Sequence, residues 1–213
     1  MTRSSPQTSP WDDLVATGVT AVVLVRHGQT AWNAERRFLG ATDLPLDPVG
    51  ERQVAALGER IGGTFDAVYT SPLLRARQTA RVLAPPEAIP VDGLRELGHG
   101  ALEGLDGEAG VREFPEFFAA FAADPTDARV SGGETFREVR DRALAALRAI
   151  AAGHAPGARI AVVAHQVVVS TALCTLAGEP LSAWRRFSIP NAGAAVLAWS
   201  EGEVRIVAGS WPP

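Results

Sequence analysis

The chain has 213 residues, of which 21% are charged, and its formal net charge is -4. This length suits one α/β domain with a hydrophobic core on both faces of a sheet. Acidic and basic residues are interleaved and form no basic stripe or tail, so neither nucleic acid nor an anionic membrane is expected as a partner.

The N-terminal composition predicts an extension and not a targeting signal. Residues 1–18 are interpreted as a flexible N-terminal extension, and residues 19–213 as a single domain. Residues 1–10 are rich in Ser, Thr and Pro and lack the apolar stretch of a signal peptide. No uninterrupted apolar run reaches about 18 residues, the length that a spanning helix needs. We therefore expect a soluble, cytoplasmic protein.

The first half of the chain alternates strand and helix patterns. The continuous apolar run 19–25 predicts a central parallel strand covered on both faces. Apolar residues at helical spacing predict a helix over residues 50–61, with Pro48 near its first turn. A short strand over residues 65–69 and a helix over residues 73–83 follow.

The second half begins with an edge strand over residues 89–94, whose proline lies near its start. Residues 98–127 are predicted to be irregular and aromatic. A long helix over 136–151, a strand over 159–164 and a helix from His165 to residue 176 complete the pattern. Alternating strands and helices predict an α/β fold, a three-layer sandwich with a mostly parallel central sheet and helices on both faces.

Polar residues follow three of the predicted strands, where ligands bind in open parallel sheets. Arg26 and His27 follow the first strand, Arg75 the second and His165 the last. A neutral imidazole is a good nucleophile toward phosphorus, and guanidinium groups pair bidentately with phosphate oxygens. Cationic groups gathered at one edge repel each other unless an anion joins them. The pattern predicts a phosphate site with His27 as the nucleophile, at which Gly28 lets the backbone approach the phosphoryl group.

A proton donor is also required, because the departing alkoxide of a phosphate ester must be protonated. Glu96 follows the predicted edge strand and leads into a glycine-rich loop, and a buried carboxylic acid at this place could supply the proton. A structural salt bridge is the alternative interpretation of Glu96. Glu103, further along the same loop, is interpreted as a loop-stabilising residue.

Four longer motifs surround these candidate residues. They are Arg26-His27-Gly28-Gln29-Thr30 with Trp32-Asn33, Tyr69-Thr70-Ser71-Pro72-Leu73-Leu74-Arg75-Ala76 with Gln78-Thr79, the loop 96–105, and Ser131-Gly132-Gly133-Glu134-Thr135. Together they resemble the signatures of the histidine phosphatase superfamily, which includes the cofactor-dependent phosphoglycerate mutases. The resemblance covers roughly residues 19–177.

The resemblance implies a role for each candidate residue. His27 would be phosphorylated transiently, and Glu96 would donate and accept the proton. The residues that would bind the phosphoryl group are Arg26, Asn33, Arg75 and His165. The resemblance implies no metal and no cofactor.

The chain departs from the family pattern at one place. Family members usually have a His-Gly pair after the last strand, whereas this chain has His165 followed by Gln166. A glycine there could present its N–H group to phosphate in a conformation that Gln166 reaches only with strain. We therefore expect either that the Gln166 side-chain amide binds the phosphate or that activity is reduced.

Three functions fit these observations. The first is a phosphomonoesterase of the histidine acid phosphatase type that acts on a small phosphorylated metabolite. The others are a phosphoglycerate mutase and a non-catalytic binder of phosphorylated ligands. The resemblance implies that mutases of the family carry an extra basic segment between the loop that bears the acid (here residues 96–105, the acid loop) and the long helix. Here that region is acidic and aromatic, and Arg112 and Arg129 are its nearest cations, so a phosphatase is favoured.

Aromatic residues raise two further expectations. Four of them are at helical spacing: Phe114, Phe117, Phe118 and Phe121. They are interpreted either as a core-facing stripe or as a cover of the pocket mouth that contacts an apolar part of the substrate. Trp184, Trp199 and Trp211 could contribute to the surface of a homodimer.

Overall fold

A six-stranded sheet forms the centre of the computed structural model, which describes residues 11–61, 64–83, 87–200 and 202–211. The strands are β1 (Thr20–Arg26), β2 (Ala67–Thr70), β3 (Ile89–Pro90), β4 (Arg159–Ala164), β5 (Ala194–Ser200) and β6 (Glu203–Trp211). Their order across the sheet is β3-β2-β4-β1-β5-β6. The first four strands pair in parallel, whereas β5 is antiparallel to β1, and β6 to β5.

Helices cover both faces of this sheet. They are α1 (Asp12–Ala16), α2 (Ala31–Ala34), α3 (Pro48–Ile61), α4 (Leu74–Ala80), α5 (Gly107–Glu113), α6 (Pro115–Ala123), α7 (Phe136–Ala152) and α8 (Gln166–Leu176). Val23 of β1 belongs to a core cluster with α1, α3 and α4, and its neighbour Leu24 belongs to a second cluster with α7 and α8. Successive side chains of a strand point to opposite faces, so these clusters are the two halves of the core. The predicted three-layer sandwich is confirmed.

The register of the central strands places three strand ends side by side. Arg26, the last residue of β1, pairs with Ala164, the last residue of β4. On the other side of β4, Thr70 at the end of β2 pairs with Val163. The residues that follow β1, β2 and β4 therefore emerge together at one edge of the sheet, as expected for a binding site in such a fold.

The predicted extension over residues 1–18 is wrong for its second half. Residues 12–16 form α1, and Trp11 before it is only 2% exposed. The Trp11 ring lies 6.4 Å from that of Phe65, and Arg159 donates a hydrogen bond to Asp12 across 3.0 Å. Burial of this indole against the sheet compensates for ordering a short segment. Residues 1–10 lie outside the described part of the chain.

Two other predictions differ from the structure. The predicted edge strand over residues 89–94 is limited to Ile89–Pro90, and Asp92–Leu94 forms a 3-10 turn. The region 98–127, predicted to be irregular, contains α5 and α6. Asp106 caps α5 by accepting a hydrogen bond from the Ala109 N–H group, and Pro115 begins α6, so the signals of two helix starts were present in the sequence.

Candidate active site

Two histidines lie next to each other beyond the central strands. The N–H group of His27 donates to the carbonyl of Ala164 across 3.1 Å, which continues the pairing of β1 with β4 by one residue. His165 follows Ala164 and precedes α8. The centroids of the two imidazole rings are 5.0 Å apart, and both side chains are buried. The structure thus brings together the two histidines that the sequence singled out.

Hydrogen bonding determines the proton position on His27. Its Nδ1 atom lies 2.6 Å from the carbonyl oxygen of Gly28. Since a carbonyl only accepts, Nδ1 carries the proton, and Nε2 is left with the lone pair. Burial, and then the charge of Arg75, hold the pKa of His27 well below its usual range, against the opposing effect of the Gly28 hydrogen bond. A neutral imidazole with a free Nε2 lone pair is the nucleophilic form.

Arg75 is a fully buried cation whose guanidinium group is bound by two backbone carbonyl groups of the loop 40–42. Its Nη1 group donates to the Thr42 carbonyl across 2.9 Å, and its Nη2 group donates to the Gly40 carbonyl across 2.7 Å. Burial lowers the pKa of Arg75, while Glu96 raises it. Glu103 fixes the same loop, because its Oε1 atom accepts from the N–H groups of both Gly40 and Thr42. The loop-stabilising role predicted for Glu103 is confirmed.

Arg26 is held by the side-chain amide of Gln166, whose role as a phosphate ligand stays a prediction. Arg26 donates from Nη1 to Oε1 of Gln166 across 2.7 Å and to the carbonyl of Ile189 across 2.9 Å. The other end of the amide, Nε2 of Gln166, donates to Oγ of Ser170 across 2.5 Å. Both ends of this amide are therefore engaged in supporting the guanidinium group.

The predicted backbone strain at Gln166 is also absent. Gln166 is the first residue of α8, with ordinary helical geometry. Among the described residues other than glycine, only Arg36 and Ala192 have a positive φ. The N–H group of Ala192 donates to the carbonyls of both Arg26 and His27, so the strained turn supports the end of β1.

Gly28 is required by the packing of the chain, whatever its role toward a phosphoryl group, which stays a prediction. Its N–H group donates to Oγ1 of Thr79 across 3.1 Å. A Cβ atom at this position would lie 2.8 Å from both the Gly50 carbonyl oxygen and Cγ2 of Val54. Glycine is required here because the chain after β1 approaches the backbone of α3 closely.

Asn33 is committed in part to the local backbone. Its Oδ1 atom accepts from the N–H group of Thr30 across 3.1 Å, in a capping box that begins α2. The side chain of Asn191 donates to the same oxygen and to the His27 carbonyl. The Asn33 amide NH₂ is the end that can serve a ligand. Asn191 was not found from the sequence, since a single asparagine in a loop carries no signal.

Glu96 lies beside the start of α8. It is 8% exposed, and its carboxylate accepts from the N–H groups of Leu97 (2.9 Å) and Val167 (3.3 Å). Since Val167 is two residues after His165, this contact joins the acid loop to the strand-end histidine. Neither contact is the structural salt bridge that the sequence left as an alternative.

Several buried polar atoms of these side chains have no hydrogen-bond partner within the described residues. They are Nδ1 and Nε2 of His165, Nε of Arg26 and Nε of Arg75. Burial, and then the charge of Arg75, keep the pKa of His165 well below its usual range. Buried polar groups are rarely left unpaired in native proteins. Two guanidinium groups and two neutral imidazoles therefore form a site suited to an anion with several acceptor oxygens.

A family model described as the histidine phosphatase superfamily (branch 1) matches residues 22–211, nearly the whole chain. The chain belongs to the histidine phosphatase superfamily. The metal-independent phosphoserine phosphatase of Arabidopsis thaliana is 41% identical over 161 residues, which are 72% of this chain and 67% of that protein. A "Probable phosphoglycerate mutase GpmB" of Salmonella paratyphi C is 34% identical over 85% of this chain and 86% of that protein.

A solved structure supports the same assignment. YhfR of Bacillus stearothermophilus superposes with a TM-score of 0.82 at 30% identity, over 89% of this chain and 96% of that one. Family membership, together with a phosphatase-named relative, supports phosphatase activity for this histidine phosphatase.

The helices α5 and α6 together form what we call the aromatic segment (residues 107–123). The four phenylalanines are half-buried, and Phe121 packs against the core cluster of α7 and α8, so the stripe faces the core in part. Phe118 lies 6.1 Å from Phe38, whose ring lies 5.2 Å from that of His99 in the acid loop. Phe121 lies 5.5 Å from Phe136 at the start of α7. Ring contacts thus connect the aromatic segment to both the acid loop and the core.

His99 is a site neighbour that sequence reasoning missed. Burial lowers its pKa, and the charges of Glu96 and Glu103 oppose that change. Its position three residues after Glu96 was the available signal.

Two features of the described part of the chain concern metals and membranes. No group of three or more His, Cys, Asp or Glu residues there could hold a metal ion. No single described helix is long and apolar enough to cross a membrane, although the bent pair Gln166–Leu176 and Leu181–Phe187 reaches that length and composition together.

Proposed function

We propose that this protein is a phosphomonoesterase that hydrolyses a small phosphorylated metabolite through a phosphohistidine on His27. The observation that carries the proposal is the set of buried, unpaired polar atoms on His165, Arg26 and Arg75 beside a neutral His27. Leaving such atoms unpaired costs free energy, and the oxygens of a phosphate dianion would pair with them.

In the first step, Nε2 of His27 attacks phosphorus. A P–N bond forms, the P–O bond to the alcohol breaks, and protonated Glu96 gives its proton to the departing oxygen. Arg26 and Arg75 stabilise the charge on the other phosphoryl oxygens as the transition state develops. His165 donates a hydrogen bond to one of them.

In the second step, the Glu96 carboxylate accepts a proton from a water molecule whose oxygen attacks phosphorus. The P–N bond breaks, inorganic phosphate leaves, and His27 returns to its neutral form. Glu96 ends protonated and ready for the next ester. The same carboxyl group therefore acts as acid in one step and as base in the other.

The aromatic segment favours a phosphatase over a mutase. A mutase must hold a second anionic group while it retransfers the phosphoryl group. The cations at this segment are already engaged: Arg129 donates to the Gly133 carbonyl and to Glu138, and Arg112 lies 3.6 Å from the carboxylate of Glu113. The Arg185 guanidinium lies over the rings of Phe121 and Trp184. A substrate with one phosphate and a modest non-phosphate body fits this surface best. The name of the GpmB relative keeps mutase activity as the second candidate.

A panel of phosphate esters tests the proposal. p-Nitrophenyl phosphate, phosphoserine and the phosphoglycerates are incubated with the protein, and phosphate release is measured alongside isomerisation. Alkaline quenching followed by detection of acid-labile phosphate should reveal the phosphohistidine. His27→Asn should abolish both signals, and His154→Asn, which alters a histidine bonded to Tyr69, should keep them.

Each outcome of the panel has a meaning. Isomerisation faster than phosphate release would support the mutase instead. If the protein hydrolyses no ester but still binds phosphate, the result would support a non-catalytic binder of phosphorylated ligands.

Three further predictions belong to this proposal. A rate maximum at acidic pH would establish the acid phosphatase type. Size-exclusion chromatography with light scattering tests the homodimer, and cell fractionation tests the cytoplasmic location.

A further inference from the structure

A carboxylate–guanidinium pair lies behind the loop that carries Glu96. Arg142 of α7 donates from Nε to Oε1 of Glu134 and from Nη2 to Oε2 of Glu134, both across 2.9 Å. The two side chains are 23% and 33% exposed. This bidentate geometry is the strongest arrangement that the two groups can adopt, and it fixes the plane of the guanidinium.

The same guanidinium donates hydrogen bonds to three backbone carbonyl groups at or just before the start of the acid loop. Nη1 donates to the carbonyls of Gly93 (3.0 Å) and Arg95 (2.5 Å), and Nη2 donates to the carbonyl of Glu96 itself (3.0 Å). Arg142 thus uses all three of its nitrogen atoms, and three of its five hydrogen bonds hold the backbone at or just before Glu96.

Glu134 holds the other side of the loop. Its Oε2 atom accepts from the N–H group of Gly98 across 2.9 Å, and its own N–H group donates to the Gly98 carbonyl across 2.8 Å. Arg142 and Glu134 therefore hold the backbone on both sides of Glu96. We call this pair the clamp.

An open pocket of about 290 Å³ borders the clamp and Glu96. A carboxyl group beside open space needs directed hydrogen bonds to its loop to stay in one place, because packing on that side does not restrain it. Leu94 and Leu97, on either side of Glu96, are buried in the core and would keep the loop attached if the clamp were weakened.

We propose that Arg142 and Glu134 are positioning residues for proton transfer in this enzyme. They hold the Glu96 carboxyl group at the start of α8, where it meets the ester oxygen of a phosphate bound between His27 and His165. A displacement of about 1 Å is enough to impair such a transfer. The inference rests on the proposed function, because it requires Glu96 to be the acid and base.

The experiment compares two esters in single turnover. An alkyl phosphate, the fastest in the panel above, leaves as an alkoxide that must be protonated, whereas p-nitrophenolate is stable as an anion and needs little help. The variants are Arg142→Lys and Glu134→Gln, with Glu96→Gln as the benchmark for loss of the acid. The matched control is Arg137→Lys, since Arg137 lies on the same helix as Arg142 and forms a bidentate pair with Asp127, which precedes that helix.

We expect Glu96→Gln to slow phosphohistidine formation from the alkyl ester by about 100-fold or more, and from p-nitrophenyl phosphate by much less. Both clamp variants should show the same selectivity, with a loss of about tenfold or more on the alkyl ester. Arg137→Lys should match wild type on both. Hydrogen exchange of residues 93–98 should become faster in the clamp variants only.

Each other outcome overturns a defined part of the argument. Equal losses on both esters in the clamp variants would mean a purely structural role, and wild-type rates would mean no role. If Glu96→Gln shows no selectivity, the acid assignment fails and the clamp inference fails with it. Wild-type protein that forms no phosphohistidine would overturn the proposed function itself.

Discussion

The proposed phosphate pocket and the aromatic segment are built in opposite ways. The pocket consists of His27, His165, Arg26 and Arg75, and defined hydrogen bonds to the main chain or to Gln166 hold His27 and both arginines. The aromatic segment has no buried side chain in α6 and is joined to the rest of the molecule by ring contacts. Ring contacts tolerate changes of residue far better than directed hydrogen bonds do.

This difference separates the chemistry from the choice of substrate. A backbone carbonyl that holds Arg75 does not depend on which side chain the loop carries, so the pocket can stay constant. The aromatic segment can change its residues without moving the nucleophile. Substitutions in the pocket should therefore affect the rate on every ester, and those in the aromatic segment should discriminate between esters.

The strongest test of the pocket is Arg75→Lys. A lysine keeps the charge but cannot bond the Gly40 and Thr42 carbonyls while also presenting a donor to phosphate. We expect kcat/KM to fall about 100- to 1000-fold on every ester, by analogy with the loss of one preorganised donor. Arg77→Lys, an exposed position on the same helix, is the control. A loss confined to one ester would contradict the separation of chemistry from substrate choice.

The sequence predicted that the pocket residues lie together, because strand ends fix their positions. Val19–Val25 and the 159–164 run are apolar enough to define central strands, and the residue after each must then emerge at the same edge. The partners of those residues were harder to predict. Gln166 supports Arg26 through a contact that spans 140 residues, and no local pattern indicates which of its atoms would be engaged.

The sequence predicted the outer elements less well. Trp11 and α1 were assigned to a flexible extension because a five-residue helix has too few positions for a periodic pattern. The strands β5 and β6 were not predicted at all, although Ala194–Ser200 is an apolar run of strand length. The aromatic segment was predicted to be irregular because of its composition, although Asp106 and Pro115 are signals of helix starts.

The burial of pocket histidines should make stability depend on pH. The pKa values of His27 and His165 are held well below about 6.5, chiefly by burial. Below pH 6.5 the unfolded chain therefore binds protons on these rings that the folded chain does not. Stability should fall as the pH decreases, by about 1.4 kcal/mol per pH unit for each histidine, until the lowered folded pKa is reached.

Urea denaturation between pH 6.5 and 5 measures this dependence. His165→Gln should reduce the slope of stability against pH by the contribution of one histidine. Because phosphate would favour protonated rings, saturating inorganic phosphate should also reduce the wild-type slope. Identical slopes in wild type and His165→Gln would show that His165 does not contribute as a buried neutral ring.

Gln166→Gly restores the glycine that family members usually have and removes the amide that holds Arg26. We expect kcat/KM to fall about tenfold on all esters, because a hydrogen bond to a charged group is lost. Ser170→Ala, which removes only the far partner of the amide, should have a smaller effect in the same direction. A Gln166→Gly enzyme as fast as wild type would show that the Ile189 carbonyl suffices to place Arg26.

Phe118→Ala should have the smallest effect and the most selective one. The Phe118 ring packs on Phe38, which in turn packs on His99 near Glu96, so its loss loosens the aromatic segment without touching His27. We expect KM to rise about threefold for esters with a large alcohol part, with kcat and the rate on p-nitrophenyl phosphate nearly unchanged, since an aromatic pair contributes about 0.5–1.5 kcal/mol. Val111→Ala, at a position 52% exposed on α5, is the matched control. A uniform fall of kcat on all esters would place Phe118 in the chemistry of the pocket and remove the distinction between the two regions.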